Sequence, residues 1–327
     1  MGKTIKIGIV GYGNLGKGVR QAIGQNPDME LAAVFTRREP AGLQAGENVR
    51  FEAFSAIESY IGNIDVMILC GGSATDLPEQ TPHIARWFHT VDSFDTHAKI
   101  PEFFETVDAA ARQGGKLSII STGWDPGLFS LNRLLAEAIL PEGKEYTFWG
   151  KGVSQGHSDA IRRIPGVKAG VQYTVPVPEA IERIRSGETP DLQTREKHSR
   201  HCYVVAEDGA DKERIREAIV TMPNYFADYD TTVTFVSEEE LKAEHGGMPH
   251  GGFVIRSGTT GSGTKQRIEF GLTLGSNPEF TASVLVACAR AGFRLGEQGA
   301  VGARTIFDLP LGLLSPKSPE QLRRELL

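Results

Sequence analysis

A glycine-rich turn near the amino terminus constrains the fold of this chain more than any other segment. The apolar run Ile5–Val10 leads directly into the sequence GYGNLG, which has the spacing G-x-G-x-x-G. Such a turn joins a buried strand to a helix, and the free N–H groups at the start of that helix favour a pyrophosphate. We therefore predict a dinucleotide-binding βα unit, with Gly11 in the tight turn, Gly13 beneath the pyrophosphate and Gly16 where helix and strand pack closely. The residues predicted to contact the cofactor in this loop are Gly11, Tyr12, Gly13, Asn14 and Leu15.

The residues after the second predicted strand indicate which dinucleotide fits. That strand, Leu31–Phe35, ends at Thr36-Arg37-Arg38, where an NAD-binding chain carries an acidic residue for the ribose 2′-hydroxyl. An acidic side chain would repel a 2′-phosphate, whereas guanidinium groups and a hydroxyl bind it through several donors. We therefore predict NADP(H) as the cofactor, held in part by Thr36, Arg37 and Arg38. The competing interpretation is a glycine-rich turn followed by a solvated basic pair.

Composition and charge limit the class of protein. The chain has 327 residues, of which 40% are hydrophobic and 23% charged, as in soluble globular proteins with room for two domains. The net charge of −6 argues against a nucleic-acid partner. Three widely spaced cysteines, Cys70, Cys202 and Cys288, indicate a reducing compartment without a disulfide framework. No signal-peptide pattern precedes Ile5 and no apolar run reaches membrane-spanning length, so we expect a cytoplasmic protein without membrane contact.

The pattern of apolar runs divides the chain into two predicted domains of an α/β protein. In residues 1–122 the runs alternate with helical patterns, which predicts a Rossmann-type, doubly wound parallel sheet. Residues 123–274 are mostly strand-like, and we expect a second α+β domain there, with an open mixed sheet that serves substrate binding and dimerisation. Helical patterns resume at Ser276-Asn277-Pro278, so residues 275–327 are assigned to the dinucleotide-binding domain. The predicted strands are Ile5–Val10, Leu31–Phe35, Asp65–Cys70, Thr90–Ser93, Leu117–Ser121, Tyr146–Gly150, Val171–Val177, His201–Ala206, Thr231–Val236, Gly252–Arg256 and Arg267–Leu274.

The segment after the third predicted strand is suited to lie against a cofactor. Cys70–Asp76 is rich in small residues, so a ribose and a nicotinamide can approach its backbone. Helix capping by Ser73 or Thr75 is an equally compatible structural interpretation. The further cofactor contacts predicted here and after the next strand are Cys70, Gly71, Gly72, Ser73, Ala74, Asp76, Ser93 and Phe94.

Two aspartates also follow predicted strands. Asp95 lies in Ser93–His97, and Asp125 lies in Gly123–Gly127 beside Trp124. Because parallel strands end at one edge of a sheet, two such carboxylates can converge to hold an ammonium or to tune a proton transfer. A loop cap for Asp95 and a D-P-G turn for Asp125 are the structural alternatives, and packing is the alternative for Trp124.

Three polar segments stand out in the second domain. Lys151–Asp159 reads as a donor-rich loop after an aromatic strand. Arg195–His201 is a basic run, for which a solvated face is the simpler interpretation. His245–Gly252 holds two histidines between glycines, but no carboxylate or cysteine completes a ligand set at standard spacing, so no metal is predicted.

Taken together, these segments resemble the family of meso-diaminopimelate dehydrogenases from end to end. The resemblance implies NADP-dependent oxidative deamination of meso-2,6-diaminopimelate at its D-centre, in lysine biosynthesis, to L-2-amino-6-oxopimelate, ammonia and NADPH. It also implies a homodimer. The matching blocks are IGIVGYGNLGKG, VFTRRE, DVMILCGGSATDLPEQ, DSFDTHAKIP, STGWDPGLFSLNR, YTFWGKGVSQGHSDAIRRI, MPNYF, MPHGGFVIRSG and FDLPLGLLSPKSPE.

The resemblance also implies roles for individual residues. Asp95 and Asp125 are the catalytic pair at the amine of the reacting D-centre, and Trp124 shapes that end of the site. Thr174, Arg200 and His250 anchor the distal carboxylate of the L-centre, and Asn277 binds its amine. Arg and His side chains suit a carboxylate, and an Asn side chain can accept from an ammonium. The complete set of substrate-binding residues implied is Trp124, Trp149, Gln155, Asp159, Thr174, Arg200, His250 and Asn277.

Two other functions are compatible with an NADP-binding chain. One is a related NADP-dependent dehydrogenase acting on a D-amino acid, a carbonyl or an alcohol, although paired aspartates favour an ammonium substrate. The other is a non-catalytic NADPH sensor, against which the polar segments of the second domain argue.

Overall fold

The computed structural model describes residues 3–43 and 49–327, which form two compact units. The first unit contains the chain up to Leu131 together with Pro278–Leu327, and the second contains Asn132–Asn277. Both divisions lie a few residues after the boundaries expected at residues 122 and 274. The first division falls within a helix at residues 128–139.

The amino-terminal part of the first unit alternates strands with helices. Its central strands, such as those at Ile5–Val10 and Val66–Leu69, are almost entirely buried, which explains why they form continuous apolar runs rather than alternating ones. The short edge strand Phe51–Ala53 has no buried residue. The elements are β1 (Ile5–Val10), α1 (Asn14–Gly24), β2 (Met29–Thr36), β3 (Phe51–Ala53), β4 (Val66–Leu69), α2 (Leu77–Ile84), β5 (His89–Asp92), α3 (Ile100–Gly114), β6 (Leu117–Ile119) and α4 (Leu128–Ile139).

The second unit contains two sheets instead of the single open sheet expected from its strand-like runs. Its elements are β7 (Gly143–Trp149), β8 (Gly152–Val153), α5 (Gln155–Arg162), β9 (Val167–Pro176), α6 (Pro178–Arg185), α7 (Thr194–Lys197), β10 (His198–Ala206), α8 (Lys212–Val220), β11 (Asp230–Phe235), α9 (Glu238–His245), β12 (His250–Thr259) and β13 (Lys265–Leu274). One sheet has the order β11-β10-β9-β8 and is mixed, since only β10 and β11 run parallel. The other, β13-β12-β7, is antiparallel.

The chain then returns to the first unit and completes its sheet. It adds α10 (Asn277–Glu297), β14 (Gly302–Arg304) and α11 (Pro319–Leu326). The finished sheet is parallel, with the order β14-β6-β5-β4-β1-β2-β3. The strand order reverses between β1 and β4, and ligands of such sheets bind at the carboxyl ends of the strands beside this reversal.

Helices cover both faces of the parallel sheet. One core joins side chains such as Ile9 and Ile68 to α1 and α10, and the other joins Phe35 and Met67 to α2 and α3. This arrangement confirms the predicted Rossmann-type fold with a separate α+β unit. Each sheet of the second unit has its own core, against α5 and α8 for the mixed sheet and against α6 for the antiparallel one.

Candidate active site

The glycine loop between β1 and α1 has the backbone geometry that a dinucleotide requires. Gly11 adopts a φ of +91°, which is open to glycine but strained for other residues. A Cβ on Gly16 would lie 2.1 Å from the Gly11 carbonyl oxygen, so the helix could not pack this closely with a larger residue. A Cβ on Gly13 would meet nothing within 4 Å, which leaves this backbone open to a ligand. The loop therefore fits a pyrophosphate at the start of α1.

The basic pair after β2 lies beside this loop. The Thr36 hydroxyl accepts from the Arg38 N–H at 3.0 Å, and Arg38 Nη2 donates to the Tyr12 carbonyl at 2.7 Å. Arg37 is exposed and forms an ion pair with Asp76 at 2.9 Å. These contacts bring together two cations and a hydroxyl, which is the donor set that suits a ribose 2′-phosphate. The ring of Tyr12 is buried and lies edge to face with that of Phe51, with ring centroids 5.0 Å apart.

The loop after β4 is hydrogen-bonded to the loop after β5. Asp76 accepts from the Gly72 N–H at 2.8 Å, and the hydroxyl of Ser73 accepts from the Asp95 N–H at 2.8 Å. Ser73 therefore positions Asp95 rather than capping α2, whose N-cap residue is Asp76. A Cβ on Gly11 would lie 3.2 Å from the Cys70 carbonyl oxygen, so this loop also borders the glycine loop.

The loops that carry the two predicted catalytic aspartates follow neighbouring strands. Asp95 is exposed, and the preceding residue Phe94 anchors its loop by stacking on Phe103 with a ring-centroid distance of 4.1 Å. Trp124 is buried, and its ring lies edge to face with that of Phe129, with ring centroids 5.2 Å apart. Asp125 lies half-buried in the turn that leads into α4. The turn and packing alternatives are thus observed for Asp125 and Trp124, and they are compatible with a role at the D-centre.

A buried carboxylate that the sequence did not single out joins these loops. Asp92, at the end of β5, has an exposed fraction of 0%. One of its carboxylate oxygens accepts from the N–H groups of Phe94 and Ser121, both at 3.0 Å, and the other accepts from the Thr81 hydroxyl at 3.1 Å. Burial raises the pKa of Asp92 to about 6. Its only signal in the sequence is an acidic residue at the end of an apolar run.

Three residues predicted to bind the distal carboxylate come together in the second unit. Arg200 on β10 pairs with Thr174 on β9, and its guanidinium donates to the Thr174 hydroxyl. Thr174 also pairs with Gly152, and a Cβ on Gly152 would lie only 2.4 Å from the ring of His250. The ring of His250 therefore lies next to the Thr174–Arg200 pair because residue 152 has no side chain.

The guanidinium of Arg200 is buried, and no carboxylate of the described residues forms an ion pair with it. Its residue is 6% exposed, its Nε has no hydrogen-bond partner in the described part of the chain, and it lies 3.8 Å from the ring centroid of Tyr229. Burial lowers its pKa. The solvated face expected for Arg195–His201 is therefore wrong for Arg200, because β10 alternates and turns Arg200 inward. A buried, unpaired cation is costly, and an anionic ligand would compensate this charge.

Three further predicted substrate residues, Trp149, Gln155 and Asn277, contact other residues of the second unit. Trp149 lies over His198, with ring centroids 5.5 Å apart, and the backbone N–H of Trp149 donates to Nε2 of His198 at 2.8 Å. Gln155 contacts the sulfur of Met248 at 3.3 Å, and the Asn277 N–H donates to the Met248 carbonyl at 2.9 Å.

The segment expected to be a donor-rich loop, residues 151–159, is instead a short strand followed by a helix. Gln155 and Asp159 both lie on α5, four residues apart and thus on one face. Asp159 forms an ion pair with Arg162. Glycines at the start of this segment obscured the helical pattern in the sequence.

Within residues 3–43 and 49–327, no group of three or more His, Cys, Asp or Glu side chains is arranged to hold a metal ion. No helix in the same ranges combines the length and apolar character needed to cross a membrane.

Known proteins resemble this chain along its whole length. Residues 123–276 match the family model of the diaminopimelic acid dehydrogenase C-terminal domain. The chain is 67% identical over 323 residues to the meso-diaminopimelate D-dehydrogenase of Ureibacillus thermosphaericus, covering 99% of each chain. A multiply substituted meso-DAP dehydrogenase from Clostridium tetani E88, crystallised with DAP, is 59% identical, with a TM-score of 0.94 over 99% of this chain and 100% of that one. An engineered D-amino acid dehydrogenase bound to NADP⁺ is 43% identical, with a TM-score of 0.86 over 99% and 100%.

Proposed function

The chain belongs to the meso-diaminopimelate D-dehydrogenase family, and we propose that it catalyses the reversible, NADP-dependent oxidative deamination of meso-2,6-diaminopimelate. The products are L-2-amino-6-oxopimelate, ammonia and NADPH, with water consumed. When bound, NADP⁺ accepts a hydride from the D-centre carbon. The structural observation that carries the proposal is the buried, unpaired guanidinium of Arg200 beside Thr174 and His250, which calls for a carboxylate.

The substrate has an amino acid group at each end, with opposite chirality, so the enzyme must distinguish the two ends. We propose that Thr174, Arg200 and His250 bind the carboxylate of the L-centre. Asn277, held by its N–H to Met248, binds the L-centre ammonium through its side-chain oxygen. Fixing the L-centre in this way leaves the D-centre as the reacting end.

The first unit supplies the groups that act on the D-centre. We propose that Asp95 and Asp125 bind its ammonium group and that Trp124 limits the space around it. Trp149, Gln155 and Asp159 complete the substrate contacts. Two carboxylates suit an ammonium because they offer only acceptors, and this favours an amine over an alcohol as substrate.

The cofactor is assigned to the strand ends of the parallel sheet. Gly11, Gly13 and the start of α1 hold the pyrophosphate, and Thr36, Arg37 and Arg38 hold the 2′-phosphate. We propose that the segments 70–76 and 93–94 lie along the remainder of the dinucleotide. The further contacts proposed in these loops are Tyr12, Asn14, Leu15, Cys70, Gly71, Gly72, Ser73, Ala74, Asp76, Ser93 and Phe94.

We also propose that the chain forms a homodimer through the second unit. Ile268 and Phe270 are half-exposed and share a face of the antiparallel sheet with Arg256, since Ile268 pairs with Arg256. Arg256 donates to the Leu140 carbonyl at 2.6 Å, which places the end of α4 on this face. Ile139 on α4 is 68% exposed. These residues form an apolar surface of the kind that a second copy covers.

We also propose that the protein is located in the cytoplasm. The thiols of Cys70, Cys202 and Cys288 are all free, as expected of a protein that works in a reducing compartment.

The function is tested by following NADP⁺ reduction and ammonia release together. The substrates are meso-, LL- and DD-diaminopimelate, simple D-amino acids and the corresponding 2-hydroxy acids. We expect rapid turnover of the meso isomer, with one ammonia released for each NADPH formed. LL-diaminopimelate has no D-centre and should not react.

The other outcomes separate the alternatives. NADPH formation without ammonia would identify an alcohol or carbonyl dehydrogenase. NADPH binding without turnover of any of these substrates would identify a sensor. Equal turnover of simple D-amino acids would identify a general D-amino acid dehydrogenase, in which the distal anchors do not select the substrate.

A further inference from the structure

The carboxylate of Asp92 has no role in the reaction as described, although it is buried in the middle of the catalytic unit. Its exposed fraction is 0%, and no Lys, Arg or His in the described ranges forms an ion pair with it. Burying a carboxylate with no cation beside it is costly, so the hydrogen bonds that Asp92 makes require an explanation. Those contacts are hydrogen bonds to three different elements.

The contacts of Asp92 join the two loops that carry the predicted catalytic aspartates. A single carboxylate oxygen, Oδ1, accepts from the Phe94 N–H in the β5 loop and from the Ser121 N–H in the β6 loop, both at 3.0 Å. The Asp92 backbone carbonyl accepts in addition from the Thr122 N–H at 3.0 Å. The two loops are therefore fixed to each other through one residue.

The backbone on the far side of this link is unusual. Ser121 has a φ of +52°, a left-handed conformation that costs energy for a residue other than glycine. Its own hydroxyl is buried and has no hydrogen-bond partner among the described residues. The hydrogen bond from the Ser121 N–H to Asp92 therefore stabilises this left-handed backbone. The same loop continues three residues later into Trp124-Asp125.

We propose that Asp92 is a positioning residue, which sets the distance between the carboxylates of Asp95 and Asp125 by tying together the backbones of their loops. This inference rests on the proposed function, in which those two aspartates bind the amine of the D-centre. The other carboxylate oxygen, Oδ2, bonds only to the Thr81 hydroxyl on α2 and takes no part in the link between the loops.

Three substitutions separate this role from a purely structural one. Asp92→Leu is similar in size and removes both acceptors. Asp92→Asn retains Oδ1 for both N–H groups and can donate its amide N–H to Thr81. Thr81→Val removes only the contact to α2, so it is the matched control for losing a buried hydrogen bond at this residue.

We expect a selective loss of turnover. Asp92→Leu should lower kcat for meso-diaminopimelate by about 100-fold, because small displacements of reacting groups have effects of that size. Its Kd for NADPH should rise by less than about tenfold, because Asp92 hydrogen-bonds to only one of the proposed cofactor contacts, Phe94, and does not contact the glycine loop or Arg38. Asp92→Asn and Thr81→Val should both keep kcat within about fivefold.

Hydrogen–deuterium exchange provides a readout that does not depend on activity. Peptides covering residues 93–97 and 120–127 should exchange faster in Asp92→Leu, and at the parent rate in Asp92→Asn and Thr81→Val. If Asp92→Leu does not fold, Asp92→Thr, whose hydroxyl is too short to reach both N–H groups, replaces it. An inactive parent enzyme would refute the proposed function, whereas the exchange rates would still decide the role of Asp92.

Two results would overturn the inference. One is parent-like exchange in both loops of the Asp92→Leu protein together with a kcat within about threefold of the parent. The other is an equal loss of turnover in Thr81→Val and Asp92→Leu with parent-like exchange of both loops in each variant. Because Thr81 bonds to neither loop, that result would show that the bonds from Asp92 to the loops do not control turnover.

Discussion

At the scale of single residues, Arg200 shows how binding and stability oppose each other in this protein. Its guanidinium is buried among Thr174, Tyr229 and neighbouring strands without a carboxylate. Such a charge destabilises the ligand-free protein, and its retention makes sense only if a ligand supplies the missing anion.

Arg200→Met is therefore expected to harm catalysis without harming stability. The variant should lower kcat/KM for meso-diaminopimelate by at least about 100-fold, because a buried polar anchor is lost. The unfolding temperature of the ligand-free protein, measured by circular dichroism, should equal or exceed that of the parent. Arg195→Met, at an exposed position just before β10, is the matched control and should change kcat/KM by less than about twofold. A kcat/KM for Arg200→Met within about twofold of the parent would show that Arg200 does not anchor the substrate.

At the same scale, we expect Arg37 and Arg38 to determine the choice of cofactor. Replacing both with Gln removes the cations that face a 2′-phosphate and leaves the glycine loop intact. The ratio of kcat/KM for NADP⁺ to that for NAD⁺ should fall by at least about 100-fold, while kcat/KM for NAD⁺ stays within about threefold. Arg50→Gln, an exposed arginine that is paired with Glu52 instead, is the control and should leave the ratio unchanged. An unchanged ratio in the double variant would assign the 2′-phosphate to other residues.

At the scale of elements, strands that form a clear apolar run could be predicted, and two short edge strands could not. β1 was predicted with the bounds that the structure gives. β3 and β14 are three residues long and were missed because neither forms an apolar run, whereas β6, which is equally short, lies within the predicted strand Leu117–Ser121. The second unit could not be resolved into two sheets, since pairing between distant strands leaves no local pattern in the sequence.

The candidate site shows the same limit. The residues proposed to contact a ligand lie in distinctive motifs, such as the glycine loop and Trp124-Asp125, so the sequence singles them out as candidates. Residues that hold the motifs in place, such as Asp92 and His198, could not be identified in this way, because their partners are backbone N–H groups on other strands. Their importance depends on contacts that form only after folding.

His198 joins the two sheets of the second unit, and this link predicts a dependence of stability on pH. Burial lowers the pKa of His198 from 6.5 to about 3, so the folded protein holds the ring neutral while the unfolded chain protonates it. The stabilisation is complete above about pH 6.5 and is lost as the pH falls toward 3. His198→Gln keeps an acceptor near the Trp149 N–H but does not titrate, so its free energy of unfolding should fall less steeply with acid.

Urea unfolding between about pH 6.5 and about pH 4 measures this difference. The parent slope should exceed that of His198→Gln by up to about 1.4 kcal/mol per pH unit. His83→Gln, at an exposed position on α2, controls for the loss of a histidine. Identical slopes for the parent and His198→Gln would show that the buried ring contributes nothing to acid sensitivity.

At the scale of the whole molecule, each unit contributes a different chemical task. The parallel sheet provides the strand ends for a cofactor and for the two aspartates. The second unit provides the buried cation and an apolar surface formed by Ile139, Ile268 and Phe270. Arg200 lies on the other sheet, and His250 lies at the opposite end of β12 from Arg256, the partner of Ile268. The surface can therefore be altered at Ile139 without replacing a proposed anchor.

Ile139→Lys should therefore weaken the proposed homodimer while leaving the site residues in place. We expect the parent protein to show twice the mass of the chain in light scattering at micromolar concentration, and the variant to shift toward the monomer, because a charge on an apolar interface must be desolvated. Leu326→Lys, which introduces the same charge at a 71% exposed position on α11, should remain dimeric. A monomeric parent would refute the dimer. A parent dimer that Ile139→Lys leaves unchanged would place the interface on another surface, since a buried lysine at position 139 could not be accommodated without cost.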